Sequence, residues 1–206
     1  MSNAIKIHSF PLSGHSHRVI LLAGLAGIAN EVITVDLAAG EHKQAPYLNI
    51  NPDGQVPAIQ DGDVSISDSN AILIYLARKY APSFLPADQE LEAQVQKYLT
   101  MAAGEIAFGL ASARLINVFN APYNVEFTQA TANATLTKLE ARLDDRDYLV
   151  GDHLSIADIA IYSYVFLAPE GGVSLEPYPN VCQFLANIES QQGFVPMVET
   201  KAGLRT

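Results

Sequence analysis

One cysteine, Cys182, occurs in the 206 residues. A lone cysteine excludes an internal disulfide framework and any zinc site built from several cysteines. A reducing, cytoplasmic setting is the simplest expectation. Basic residues are also scarce: 12 Lys and Arg stand against 22 Asp and Glu, a formal net charge of −10. So acidic a surface repels phosphate backbones and anionic lipid, which argues against nucleic acid and membranes as partners. Long apolar runs are missing as well. The longest, Val19 to Ala29, contains Gly24 and Gly27 and is too short to cross a bilayer. Pro11, Gly14 and two histidines precede it, so a signal peptide is not expected, and no polybasic tail or lipidation motif is seen.

What is present is apolar enough, at 49% hydrophobic residues, to bury a core as one large domain or two small ones. The charge is uneven. Residues 1–80 carry a net −2 and residues 81–206 a net −8, while His8, His15, His17 and His42 all fall in the first part. That shift points to two domains with different tasks.

The periodicity agrees. Ile5–Phe10 alternates as a strand, and Val19, Leu22, Ala23 and Ala26 have helical spacing from Ser16 onward, with Asn30 as the closing residue. Val32–Val35 reads as a second strand, so the chain opens β-α-β with parallel pairing. Gly40, Pro46, Pro52 and Gly54 leave room for a short helix at most. Val56–Gln60 and Val64–Ile66 read as strands joined at Asp61-Gly62, and Ser69–Ala81 reads as a helix. Beyond the proline-bounded linker the pattern is helical: Asp88–Phe119, about Asn124–Leu143, Ser155–Leu167, and Val181–Gln191 with Asn180 as its N-cap and Cys182 in the helix core. Ser155 and Asp158 have the spacing of a capping box, with Leu154 and Ile159 as its hydrophobic staple, so Asp158 reads as a fold determinant. The expected division is a βαβαββα domain over 1–81, a linker over 82–87 and an all-α domain over 88–206.

Four segments resemble the glutathione transferase family, serine-type, of the phi, zeta and theta kind. Ser13-Gly14-His15-Ser16-His17-Arg18-Val19 resembles its Ser-x-x-Ser/Thr-x-Arg-Val turn. Gly40-Glu41-His42-Lys43 with Leu48 through Pro57 resembles its "GEHK…LNPxGQVP" stretch. Asp68-Ser69-Asn70-Ala71-Ile72 resembles its acidic-Ser-x-Ala-Ile motif, and Tyr148 through Ile159 its "FLxGxxxSxADI" segment. These span nearly the whole chain in order. The resemblance implies a thioredoxin-like α+β domain followed by the all-helical domain of that fold.

It also implies a site for glutathione, a peptide with two carboxylates, an ammonium and a thiol. Asp68-Ser69 opens a helix, where Ser69 can donate to a carboxylate and Asp68 can accept from the γ-glutamyl ammonium. Serine at that place can equally serve as the helix cap. The resemblance makes Val56-Pro57 a cis bond, turning the Val56 backbone toward the peptide, with Gln55 beside it. It places His42 and Lys43 near the glycine carboxylate. The departure is Asp68 where phi-type sequences carry Glu, a reach one carbon shorter.

The nucleophile implied is the ligand's own thiolate, with Ser13 as the catalytic hydroxyl that lowers its pKa. Ser16 reads better as the N-cap of the first helix, and His15 as a second donor or a solvated loop residue. His15 stands where zeta-type sequences have cysteine, which puts their isomerase chemistry in doubt. The hydrophobic substrate pocket is implied at Leu12, Phe108, Ala111, Arg114 and Leu115. Conjugation of glutathione, as co-substrate, to electrophiles is the leading expectation, in a detoxifying homodimer without a metal, with glutathione peroxidase activity as a side expectation. A ligand-binding scaffold of the same fold, or a glutathione-dependent isomerase or dehalogenase, is the alternative.

Overall fold

The computed structural model describes residues 4–205. The chain forms two compact units: Met1–Leu85 with Gln192–Val198, and Pro86–Gln191 with Glu199–Thr206. The boundary near 85 lies within the expected linker. The helical domain expected over 88–206 gives up Gln192–Val198 to the first unit.

In the first unit β1 (Ile5–Ser9), α1 (Gly14–Leu25) and β2 (Asn30–Thr34) form the opening β-α-β. A short α2 (Ala45–Leu48) follows, then β3 (Ala58–Asp61), β4 (Val64–Ser67) and α3 (Ser69–Tyr80). The strand order is β2-β1-β3-β4. β1 runs parallel to β2, with Ile5 opposite Asn30, and antiparallel to β3, with Ile7 opposite Ile59. The crossover through α1 enforces the parallel pair. β3 and β4 pair with Asp61 opposite Val64, so Gly62 and Asp63 make the turn, and Gly62 takes the left-handed φ of +61° that the hairpin requires. Ile5, Ile7, Ala58 and Ile59 are buried, as are Val19, Leu21 and Leu22 of α1 and Ile72, Leu73 and Leu76 of α3.

α1 stops earlier than the sequence suggests. Ala26 is its C-cap and Gly27 supplies the left-handed residue, at φ +62°. Asn30 instead starts β2 and donates its amide to the Ile28 carbonyl at 2.8 Å. The returning Gln192–Val198 segment packs on α1 backbone to backbone: a Cβ on Gly24 would lie 2.6 Å from the Gly193 carbonyl oxygen. His17 of α1, buried, donates Nε2–H to the Val195 carbonyl at 2.8 Å. Burial, only partly offset by that bond and reinforced by nearby Arg18, lowers its pKa to about 4.

The second unit is helical. α4 (Gln89–Met101), a π-helical stretch (Ala102–Ala111) and α5 (Ser112–Phe119) form one run over the expected Asp88–Phe119. Gly109 allows close packing there, since a Cβ would lie 2.8 Å from the Ala132 nitrogen of α6 (Val125–Arg142). α7 (Ile156–Phe166) is the buried helix, and the Ser155–Asp158 capping box closes its first turn. Asp158 Oδ2 accepts from Ser155 N and Oγ, both at 2.8 Å, and Oδ1 accepts from Leu149 N at 2.7 Å. Asp158 thus ties the preceding loop to the helix.

α8 (Pro179–Glu189) starts before the expected residue, with Tyr178 at the cap position. Asn180 is not the cap. The Glu140 carboxylate of α6 accepts from Asn180 N at 3.0 Å and Val181 N at 2.9 Å, so a neighbouring helix satisfies these orphan donors. Cys182, expected in the core, is exposed on α8.

Candidate functional site

Three local structures of the first unit build one cavity of about 210 Å³, lined by His15, Asn51, Asp53, Gln55, Val56, Pro57, Ser67, Asp68 and Ser69. Among these are five of the residues singled out in the sequence for the peptide ligand, together with His15.

The first local structure is the loop into β3. The Val56-Pro57 bond is cis. The loop before it is held by the Gln55 carbonyl, which accepts from Tyr47 OH at 2.5 Å and Asn51 Nδ2 at 2.8 Å. Asn51 Oδ1 also accepts from Asp53 N at 3.1 Å. Gly54 has φ +58°, and a Cβ there would lie 2.7 Å from the His42 carbonyl oxygen, so no other residue fits without movement. Lys43 is exposed and does not line the cavity. Its Nζ donates to the Gly54 carbonyl at 2.9 Å and the Asp53 carbonyl at 3.4 Å, bracing the loop from outside. His42 is half-buried and is not among the lining residues either.

The second is the start of α3. Asp68, not Ser69, is the N-cap: its Oδ1 accepts from Asn70 N and Ala71 N, both at 2.9 Å. Asp68 has φ +68° and ψ 122°, a conformation costly for a residue with a Cβ, of order 1–3 kcal/mol. Ser69 is therefore the first helical residue, whose N–H has no acceptor within the helix and points out of its N-terminus.

The third is the start of α1. Ser13, not Ser16, caps this helix, accepting from Ser16 N at 3.2 Å. Ser16 is fully buried and its Oγ accepts from Phe10 N at 3.4 Å, so it offers no surface to a ligand. Ser13 is half-buried and lies outside the cavity's lining. His15 Nδ1 is 3.3 Å from Ser69 Oγ. Burial first and the nearby Arg18 charge second lower its pKa to about 3, so its imidazole is neutral at pH 7. It is neither a plain solvated loop residue nor a cation.

Sequence reasoning missed Arg18, which is fully buried, and the lining residues Asn51, Asp53 and Ser67. Arg18 Nη1 donates to Ser69 Oγ at 3.2 Å and to Asn70 Oδ1 at 3.0 Å, joining α1 to the start of α3. The signal lies in the turn motif, where a lone arginine begins an apolar run and needs an acceptor, but the sequence does not name Ser69 as that acceptor.

Of the residues named for a hydrophobic substrate, Leu12 is half-buried in the first unit. In the helical unit Phe108 is 63% exposed, Leu115 half-buried and Ala111 buried. Arg114 is 1% exposed, with Nε donating to Glu170 Oε2 at 2.6 Å inside that unit.

Residues 4–78 match the family described as "Glutathione S-transferase, N-terminal domain", and residues 117–192 its C-terminal domain. The chain is 34% identical to a probable glutathione S-transferase of Oryza sativa subsp. japonica, over 86% of this chain and 87% of that protein. It is similar to the crystal structure of a glutathione S-transferase from Pseudomonas fluorescens, at TM-score 0.90 and 30% identity, covering 96% of this chain and 100% of the other. It is also similar to a glutathione S-transferase-I structure bound with lactoylglutathione, at TM-score 0.80 and 30% identity, covering 92% and 96%.

Proposed function

The chain belongs to the glutathione S-transferase family, and from that premise we propose that it binds glutathione in the cavity between the cis-proline loop and the start of α3 and activates the thiolate for transfer to hydrophobic electrophiles. The observation that carries the reading is this shared lining: a peptide edge at Val56-Pro57 and an anion-receptive helix start at Asp68-Ser69 in one cavity. The edge suits the cysteinyl backbone, as a strand edge does. The outward Ser69 N–H and hydroxyl suit the γ-glutamyl carboxylate, helped by the α3 dipole. Both cap bonds of Asp68 fall on Oδ1, so Oδ2 is the oxygen assigned to the γ-glutamyl ammonium. The solved relative that holds lactoylglutathione supports the ligand class.

Ser13 is assigned to the sulfur. Its oxygen accepts the Ser16 N–H, which leaves its own hydrogen to donate. A donated hydrogen bond at a helix N-terminus favours thiolate over thiol, and each unit of pKa is worth about 1.4 kcal/mol. His42 and Lys43 are assigned to the glycine carboxylate through adjustment of the 41–43 turn. Exposed Phe108 is assigned to the hydrophobic substrate. Peroxidase turnover, a homodimer and a detoxifying role in the cytoplasm belong to the same proposal. Calorimetric titration with glutathione and turnover on a panel of electrophiles test it. Heat without turnover on any electrophile would favour a binding scaffold, and no heat at millimolar ligand would remove the glutathione site.

A further inference from the structure

We propose that Arg18 is a positioning residue for ligand selection: from the buried side of the cavity wall it sets the Ser69 hydroxyl as a donor and so gives the site its preference for a ligand with a carboxylate at the γ-glutamyl end. The inference rests on the glutathione reading above and deepens it.

Arg18 is fully buried and does not touch the ligand space. Its Nη1 reaches two residues that open α3, Ser69 Oγ at 3.2 Å and Asn70 Oδ1 at 3.0 Å. A guanidinium has only donors, so Ser69 Oγ accepts from it and the hydroxyl hydrogen remains for another acceptor. In the tautomer protonated at Nε2, His15 Nδ1 at 3.3 Å is one acceptor within reach, and a carboxylate entering the cavity is a stronger one. Donation from a cation polarises the Ser69 O–H, and the low dielectric around a buried group strengthens this effect. Arg18 thus adds to the favourable end of the α3 dipole at the place where an anion is expected.

The charge balance agrees. His15 lines the cavity but is held neutral, so it brings a polar edge and no charge. Arg18 is charged at every working pH, because guanidinium does not lose its proton. Asp68, on the same helix start, carries the opposite charge for the ammonium. The two charges, one behind Ser69 and one at the cap, match the carboxylate and ammonium of one amino-acid head group. Both bonds leave the single nitrogen Nη1, so lysine would keep the charge but, with a side chain one bond shorter, would not bring its ammonium to that place.

The test compares glutathione with γ-aminobutyryl-cysteinyl-glycine, which keeps the ammonium and thiol but lacks the γ-glutamyl carboxylate. Wild type is expected to prefer glutathione. Arg18→Gln, with its fold checked by circular dichroism and thermal melting, is expected to bind glutathione roughly tenfold more weakly and the truncated peptide almost unchanged. The His15 imidazole, followed by NMR, is expected to titrate at higher pH in this variant than in wild type. An equal loss for both peptides, or none, would overturn the inference. Should Arg18→Gln not fold, Arg18→Lys, Ser69→Ala and the double variant replace it. Losses in glutathione affinity that do not add support action through Ser69, and additive losses overturn it. Wild type that fails to bind glutathione would instead remove the functional reading and this inference with it.

Discussion

Ser13 Oγ accepts the Ser16 amide hydrogen at 3.2 Å, so the hydroxyl assigned to the sulfur is also the cap of α1. The two tasks would use different parts of one group: the oxygen lone pair serves the helix, and the hydrogen is the part assigned to the ligand. Ser13→Ala removes both. It is expected to lower stability by about 1 kcal/mol, the usual value of an N-cap, and to reduce kcat by tenfold or more. Ser13→Asn restores a cap without the hydroxyl, so melting is expected to recover while turnover does not. Thiolate absorbance of bound glutathione against pH is expected to move upward in both variants. Full turnover in Ser13→Asn would remove Ser13 from the sulfur.

Asp158 gives a pH dependence of opposite sign to that of most carboxylates. Complete burial raises its pKa to about 6, although Leu149 N, Ser155 N and Ser155 Oγ all donate to the carboxylate. The folded chain therefore binds this proton more readily than the unfolded chain. Its contribution to stability is fully present below the ordinary carboxylate pKa and is lost as pH rises through about 6. Denaturant midpoints between pH 4 and pH 7 are expected to show this slope, and Asp158→Asn is expected to abolish it. The same variant is expected to be less stable than wild type at pH 5, because an amide cannot accept all three bonds.

The parts of the fold that were legible in the sequence are those set by local chemistry. The Asp61–Val64 hairpin follows from a glycine that must take positive φ, and the Ser155–Asp158 box follows from a four-residue spacing. The parts that were not legible depend on residues distant in the chain. Asn180 has the chemistry of a cap, yet Glu140, 40 residues earlier, satisfies that helix end. Asn30 also has the chemistry of a helix stop, but Gly27 reaches the left-handed conformation first and at lower cost. Arg18 is not legible as an enclosed residue because arginine is mostly exposed, and only the packing of α1 on α3 shows it beside Ser69. Similarly, Asp68 and Ser69 were legible as a pair, but which of them caps α3 depends on a positive φ that sequence does not reveal.

Asp61 anchors the β3–β4 hairpin to the end of α3. Its Oδ2 accepts from Lys79 Nζ at 2.7 Å, Tyr80 OH at 2.7 Å and Tyr75 OH at 2.8 Å. Burial pushes its pKa up, but the bonds from Lys79, Tyr80 and Tyr75 together outweigh it and leave the carboxyl below its ordinary value. Its contribution to stability is therefore present above the unfolded carboxylate pKa and lost as pH falls through the lowered one. Acid unfolding of Asp61→Asn is expected to be less steep than that of wild type at low pH. Hydrogen exchange of the Asp61–Val64 turn amides is expected to quicken at neutral pH. Unchanged exchange there would show that the strand pairing alone holds the hairpin.

Arg114 and Glu170 form an ion pair with side chains 2% and 0% exposed. Glu170 Oε2 accepts from Arg114 Nε at 2.6 Å, and Oε1 accepts from Thr200 N at 2.6 Å, so one carboxylate links α5 to the Glu199–Arg205 tail. Removing a single member leaves the other charge in the interior, which typically costs about 3–5 kcal/mol. Glu170→Gln is expected to fall near the low end, because glutamine can still accept from Thr200 N while stranding the Arg114 charge. Arg114→Met is expected to cost a similar amount, since the buried Glu170 carboxylate then keeps the Thr200 N–H and the Arg205 charge nearby but loses its direct ion-pair partner. The double variant Arg114→Met, Glu170→Met is expected to be more stable than the sum of the two losses predicts, because desolvation of both charges is removed together. Chemical denaturation of the four proteins measures the coupling. Additive losses would show that the pair is held by packing around it, and that its attraction contributes little.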